Sequence, residues 1–103
     1  MQTQYEDILV SVDGPLCVVT VNRPKVLNAL NARVIDELTR ALTALQGQSD
    51  VRAIIVTGAG ERAFVAGADI AAMAELSPEA AQAFAAQGHR VGDLIAALPQ
   101  PVI

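Results

Sequence analysis

The chain has 103 residues, of which 52% are hydrophobic and 17% charged, and its net charge is −4. This length predicts a single domain, and the hydrophobic content argues against a disordered chain. The net negative charge argues against nucleic-acid binding. No cluster of Lys and Arg is present that would favour binding to an anionic membrane surface.

Cysteine content and hydropathy indicate where in the cell the protein is located. The single cysteine, Cys17, rules out an internal disulfide and a cysteine-based metal site. Residues 1–7 lack the basic and apolar stretches of a secretory signal. No apolar run approaches the roughly 20 residues that span a bilayer. We therefore expect a soluble, cytoplasmic protein with no membrane partner.

The first part of the chain predicts a β-hairpin. Residues 8–12 and 16–21 are apolar and partly β-branched, and they flank the turn sequence Asp13-Gly14-Pro15. The segment Asn22-Arg23-Pro24-Lys25 then ends the second strand, because proline cannot donate to a strand ladder.

A helix and a buried strand follow. From about Asn31 to Leu45 the apolar residues recur every three or four positions, which predicts a helix. Either Asn28 or Asn31 is its N-cap, and Gly47 ends it. The run Val51–Thr57 has a continuously apolar centre, which is typical of a strand that is covered on both faces.

The second half predicts a loop and two helices. Glycines punctuate a loop over residues 58–67, and Asp69 is the expected cap of a short helix over residues 70–76. A longer helix begins after its N-cap, Ser77, and runs to about Leu98.

Val102 and Ile103 begin another strand. A strand this short suggests a truncated polypeptide, a fragmentary gene or a chain that is cut within a larger domain. The element order indicates an α/β protein with a repeating ββα pattern.

Two interpretations compete for the glycine-rich loop. Residues 58–63 (GAGERA) match the dinucleotide-binding pattern G-x-G-x-x-A, but that pattern must open a helix at once, and residues 64–67 continue as loop. Alternatively, small side chains over residues 64–70 expose backbone N–H groups at a helix entry, where an anion or a polarised carbonyl would bind. The simplest explanation of the first pattern is a glycine-rich turn that lets the chain reverse, and that of the second is a tight connection from strand to helix.

Four ordered segments resemble the enoyl-CoA hydratase/isomerase (crotonase) family. They are residues 19–30, 51–58, 63–70 and 98–103, and the third, AFVAGADI, is the most specific. The resemblance implies an α/β fold of the crotonase type, a superhelix of ββα turns that is truncated here after the first repeats. Residues 1–103 would be the N-terminal portion of a crotonase-like domain without its C-terminal half. The complete enzyme would be a homotrimer or a hexamer.

The resemblance also implies roles for individual residues. The backbone N–H of Ala68 would be one of two donors that bind the thioester oxygen of an acyl-CoA. The positions implied near the bound CoA are Arg23, Lys25, Val26, Leu27, Ala29, Ala66, Gly67, Ala68, Asp69 and Ile70. The second donor and the acid/base glutamates would lie beyond Ile103. The three glutamates expected instead to be surface charges are Glu61, Glu75 and Glu79.

The implied activity is that of a lyase of fatty-acid metabolism. It would hydrate a 2-enoyl-CoA reversibly through a stabilised enolate, with CoA as part of the substrate and with no metal or other cofactor. Isomerisation, dehydration, decarboxylation or thioester hydrolysis would use the same oxyanion hole with other acid/base residues. The 103-residue chain itself is expected to be inactive. The alternative is a non-catalytic chain that self-associates or binds a partner.

Five further residues invite a functional assignment. We expect His89 to be exposed, and Cys17 to be an inert buried thiol. Asp69 is more consistent with a helix cap than with a general base. Met73 and Leu76 are expected to pack in the core rather than against an acyl chain.

Overall fold

A three-stranded sheet begins the fold in the computed structural model, which describes residues 5–103. Strands β1 (Ile8–Asp13) and β2 (Leu16–Val21) pair antiparallel, and Gly14 turns the chain between them with a φ of +58°. Strand β3 (Ala53–Gly58) pairs parallel with β2, which gives the order β1-β2-β3. The predicted hairpin and the predicted third strand are confirmed.

Helix α1 (Ala32–Gln46) makes the crossover that parallel pairing of β2 and β3 requires. The Asn31 side chain accepts a hydrogen bond from the Val34 N–H at 2.9 Å, and Gly47 ends the helix. Asn31, not Asn28, is therefore the N-cap.

Helix α2 (Ile70–Met73) is a single turn, and helix α3 (Pro78–Ala97) is the longest element. Asp69 caps α2 and Ser77 caps α3, as predicted. The predicted end of α2 at Leu76 is wrong. The chain leaves the helix at Ala74 because it must turn into the extended conformation of the Ser77 cap.

The core lies between one face of the sheet and α1, with α3 packed on α1. The buried strand residues point alternately to this face, as a period of two requires. The central members of the core are Ile8, Cys17, Val19, Val21, Ile54, Val34, Leu38, Leu42, Leu45, Val91 and Leu98. Cys17 is buried, as predicted, and burial raises the pKa of its thiol.

The opposite face of the sheet is not covered by any other part of residues 5–103. Ile55 is only half-buried, and Leu9 is 52% exposed. The prediction that β3 is covered on both faces is therefore wrong for this chain, because no second layer packs there. The free edge of β3 is partly paired, since the Ile54 N–H donates to Pro101 O and the Val56 N–H donates to Ile103 O. The predicted start of a strand at residues 102–103 is confirmed by this pairing.

Among the residues that the structure describes, no helix has the length and apolar character needed to cross a membrane. Residues 1–4 belong to the segment in which no secretory signal is predicted, and they lie outside the described residues.

Candidate functional site

Two segments that are distant in sequence meet at one edge of the sheet. The first is residues 23–30, which leave β2 through a 3₁₀ turn at Pro24–Val26. The second is residues 66–70, which follow β3 and lead into α2. Because β2 and β3 are parallel neighbours, their carboxyl ends lie at the same edge. All ten positions that the resemblance implies near CoA lie in these two segments.

Backbone hydrogen bonds join the two segments. The Ala66 N–H donates to Leu27 O at 3.0 Å. The Leu30 N–H donates to Gly67 O at 2.7 Å, and the Asp69 N–H donates to Leu30 O at 2.7 Å. Leu30 therefore holds the residues on both sides of Ala68 and forms a parallel bridge with it.

The Ala68 N–H points away from this bridge. It shares a peptide group with the Gly67 carbonyl, which accepts from Leu30. In a planar trans peptide the N–H and C=O point in opposite directions, so the Ala68 N–H is directed outward. It has no acceptor within residues 5–103, and Ala68 is exposed. Gly67 has a φ of +132°, a conformation that only glycine adopts at low cost.

Asn28 fixes the first segment against the start of the loop. Its side chain is buried, accepts from the Arg23 N–H, and donates to the carbonyls of Ala59 and Ala63, each at 2.9 Å. Its φ of +58° is left-handed, which asparagine tolerates better than most residues. Sequence reasoning treated Asn28 only as a possible helix cap and missed this role.

Gly58 permits the close approach of the loop. A Cβ at Gly58 would lie 2.7 Å from Ala63 O and would also overlap Phe64 O. The loop therefore folds directly over the end of β3, and any side chain at this position would displace backbone atoms.

Arg23 is engaged inside the site. Its Nη1 donates to Ala29 O at 2.6 Å, and its Nη2 lies 3.2 Å from Asp69 Oδ2. The two paired side chains are 18% and 16% exposed. The hydrogen bond from the Ala72 N–H, and secondarily the Arg23 guanidinium, lowers the pKa of Asp69. Lys25, by contrast, is exposed and makes no ion pair within residues 5–103.

An apolar cavity of about 230 Å³ opens beside Asp69. Its walls include Leu30, Met73, Leu76 and Phe84. Met73 and Leu76 are 38% and 37% exposed, so the expectation that they pack in the core is wrong. Met73, at the end of α2, and Leu76, in the connection to α3, line the cavity wall instead of the interior.

Residues 16–103 match the family model for enoyl-CoA hydratase/isomerase. The chain belongs to this family. The matched range contains both segments of the site and every position that the resemblance implies near CoA.

Related proteins carry the same segment within longer chains. The crotonyl-CoA hydratase of Syntrophomonas wolfei is 44% identical over 99 residues, which are 96% of this chain and 38% of that protein. The short-chain-enoyl-CoA hydratase of Clostridium acetobutylicum is 39% identical over 100 residues, again 38% of that protein. The crystal structure of the enoyl-CoA hydratase of Bacillus anthracis superposes with a TM-score of 0.91 and 31% identity, and covers 94% of this chain and 38% of that one.

These likenesses confirm the crotonase-type fold and the family. The chain spans about two-fifths of the length of these relatives. The dinucleotide-binding interpretation is wrong, because residues 58–63 open no helix and the next helix begins only at Ile70.

Four other titratable residues that the sequence offered are surface groups. Glu61, Glu75 and Glu79 are exposed, as expected for surface charges, and His89 is exposed on α3. Within residues 5–103 no group of three or more His, Cys, Asp or Glu side chains is placed to hold a metal ion.

Proposed function

We propose that this chain is the acyl-CoA-binding part of an enoyl-CoA hydratase, in which the Ala68 N–H donates to the thioester oxygen. One observation carries the proposal: the Ala68 N–H is outward-facing, has no acceptor within residues 5–103, and is flanked by two residues that Leu30 holds. A donor that is already oriented stabilises a developing oxyanion without reorganisation during the reaction.

The proposed reaction is the reversible hydration of a 2-enoyl-CoA through an enolate. The thioester oxygen gains negative charge in the enolate, so a backbone donor lowers the barrier for that step. Proton transfer requires acid/base groups from residues other than the exposed Glu61, Glu75 and Glu79. CoA enters as part of the substrate, and no step requires a metal.

The surroundings of Ala68 suit the rest of an acyl-CoA. Lys25, which makes no ion pair within residues 5–103, offers its positive charge to the phosphates of CoA at the exposed 3₁₀ turn. Val26 and Leu27 are 44% and 38% exposed beside it. The apolar cavity next to Asp69 would accept the acyl group.

The proposal extends to assembly and location. We infer that the complete enzyme is a homotrimer or a hexamer and that it acts in the cytoplasm. The single free, buried cysteine is compatible with a reducing compartment.

A chimera tests the proposed function. The aligned segment of the Syntrophomonas wolfei crotonyl-CoA hydratase is replaced by this chain, and hydration of crotonyl-CoA is followed by the ultraviolet absorbance of the conjugated thioester. We expect the chimera to hydrate crotonyl-CoA. A chimera that folds and assembles like its parent but has no activity would contradict the proposal.

The 103-residue chain alone serves as the comparison in the same assay. We expect no measurable turnover from it. Loss of the second oxyanion donor costs about 10²–10³-fold, and loss of acid/base groups costs about 10²–10⁴-fold more.

The uncovered sheet face supports a second candidate function, self-association of the chain without catalysis. Leu9 is 52% exposed on this face, and Ile103 is 78% exposed at the open strand edge. Two copies would bury these side chains against each other.

A further inference from the structure

Arg23 contacts both of the segments that meet at Ala68. Its guanidinium reaches Ala29, the residue before Leu30, and Asp69, the residue after Ala68. Leu30 and Ala68 form the bridge that joins the two segments. One side chain therefore holds both sides of that bridge, and we call the contacts of Arg23 with Ala29 O and Asp69 Oδ2 the Arg23 clamp.

Asp69 and the backbone of Arg23 are each held by further hydrogen bonds. Asp69 also accepts from the Ala72 N–H at 3.1 Å and donates its own N–H to Leu30 O. The backbone of Arg23 is held by Asn28, whose Oδ1 accepts from the Arg23 N–H at 2.9 Å. A movement of the guanidinium would thus be transmitted to the Gly67–Ala68–Asp69 backbone and not absorbed by a loose side chain.

The clamp needs a guanidinium and not merely a positive charge. Two different nitrogens, Nη1 and Nη2, bind two acceptors on different segments. The planar fork of arginine spans such a pair, whereas the single ammonium of lysine is a point charge on a flexible stem. Because the guanidinium is largely buried and already paired, it is poorly placed to bind a CoA phosphate.

We infer that Arg23 is a positioning residue that sets the direction of the Ala68 N–H through Asp69, and not a CoA-binding residue. This inference rests on the proposed oxyanion role of Ala68. The clamp restricts the loop to the orientation in which the N–H faces the ligand. A misplaced donor then weakens catalysis while substrate binding is retained.

Steady-state kinetics of the chimera distinguish a positioning role of Arg23 from a role in CoA binding. We expect R23K and D69N each to lower kcat by about tenfold or more and to change KM by less than about threefold. The kcat of the R23K/D69N double variant should be little lower than that of the poorer single variant, because both substitutions remove the same contact between Arg23 and Asp69. R90K, at an exposed position on α3, is the matched control and should behave like the parent.

Other kinetic outcomes would overturn the inference. If R23K retains activity while R23M raises KM, the charge binds CoA and the clamp has no positioning role. Equal kcat for R23K and the parent chimera would likewise contradict it, as would fully additive effects of R23K and D69N.

Amide NMR of the ¹⁵N-labelled 103-residue chain supplies a readout independent of activity. R23K and D69N should both shift the Ala68 and Leu30 amide resonances, and R90K should leave them in place. Unmoved Ala68 and Leu30 resonances would overturn the clamp. Shifted resonances together with an inactive, folded parent chimera would instead leave the clamp standing and contradict the proposed function.

Discussion

At the scale of single residues, the site depends on side chains that fix backbone rather than on side chains that react. Asn28 is the clearest example, because its three hydrogen bonds hold Arg23, Ala59 and Ala63 together. Two of these partners lie 31 and 35 residues away in sequence. No local pattern reveals them, so sequence reasoning could suggest only a helix cap. The helix is capped by Asn31, whose hydrogen-bond partner is only three residues away, so this cap could be predicted from the sequence.

We predict that Asn28→Asp lowers the free energy of unfolding by about 2–4 kcal/mol. The carboxylate keeps the acceptor for the Arg23 N–H but loses both donations to the Ala59 and Ala63 carbonyls, and it is buried. Urea unfolding of the 103-residue chain measures the change. The control is Asn22→Asp, at a half-buried position without a side-chain hydrogen bond in residues 5–103. Equal changes for the two variants would contradict the assigned role.

A second prediction concerns the pH dependence of Asp69. Its folded pKa lies below the ordinary value of 3.8, so its ionised form stabilises the fold. This contribution is fully present above the unfolded pKa and is lost as the pH falls through the lowered folded pKa. The Tm difference between the parent chain and D69N, which keeps a capping side chain, should be constant near neutral pH and shrink as the pH falls below 3.8 and through the lowered folded pKa. A difference that stays the same from about pH 7 to about pH 2 would contradict this.

At the scale of elements, local periodicity predicted most of the fold. The hairpin, α1, α3 and their caps all follow from spacings within one element. The end of α2 and the exposure of one face of β3 could not be predicted from such spacings, because both depend on what packs against these elements. Val51–Thr57 has the apolar composition of a fully buried strand, yet only Val51 and Ile54 in this run are buried, and Ile55 is half-buried.

The uncovered face of the sheet leads to a prediction of self-association. We expect the 103-residue chain to form dimers or larger species as its concentration rises, because association buries Leu9 and its neighbours. Leu9→Lys should weaken association in sedimentation experiments. Val12→Lys is the matched control, since Val12 is equally exposed, at 52%, but its side chain points to the opposite face.

Two results would contradict self-association through this face of the sheet. A chain that stays monomeric at its highest soluble concentration would exclude self-association. Equal effects of the Leu9 and Val12 substitutions would place the contact at the edge of β1 instead of on the face.

At the scale of the whole molecule, the fold brings residues 23–30 and 66–70 to one edge of the sheet. Composition and periodicity could not predict this meeting, since the two segments are separated by α1 and β3. The family resemblance could, because it assigned both segments to one ligand. It did not reveal that Arg23 and Asp69 are paired, which requires side-chain positions that no motif contains.

Substitution of Ala68 in the chimera tests most directly whether its N–H is the oxyanion donor. Proline removes the N–H, whereas glycine and serine keep it. We predict that A68P lowers kcat for crotonyl-CoA hydration by about 10²–10³-fold and that A68G and A68S keep most of the activity. Circular dichroism and Tm confirm that each variant is folded. A folded A68P chimera with the kcat of its parent would contradict the account.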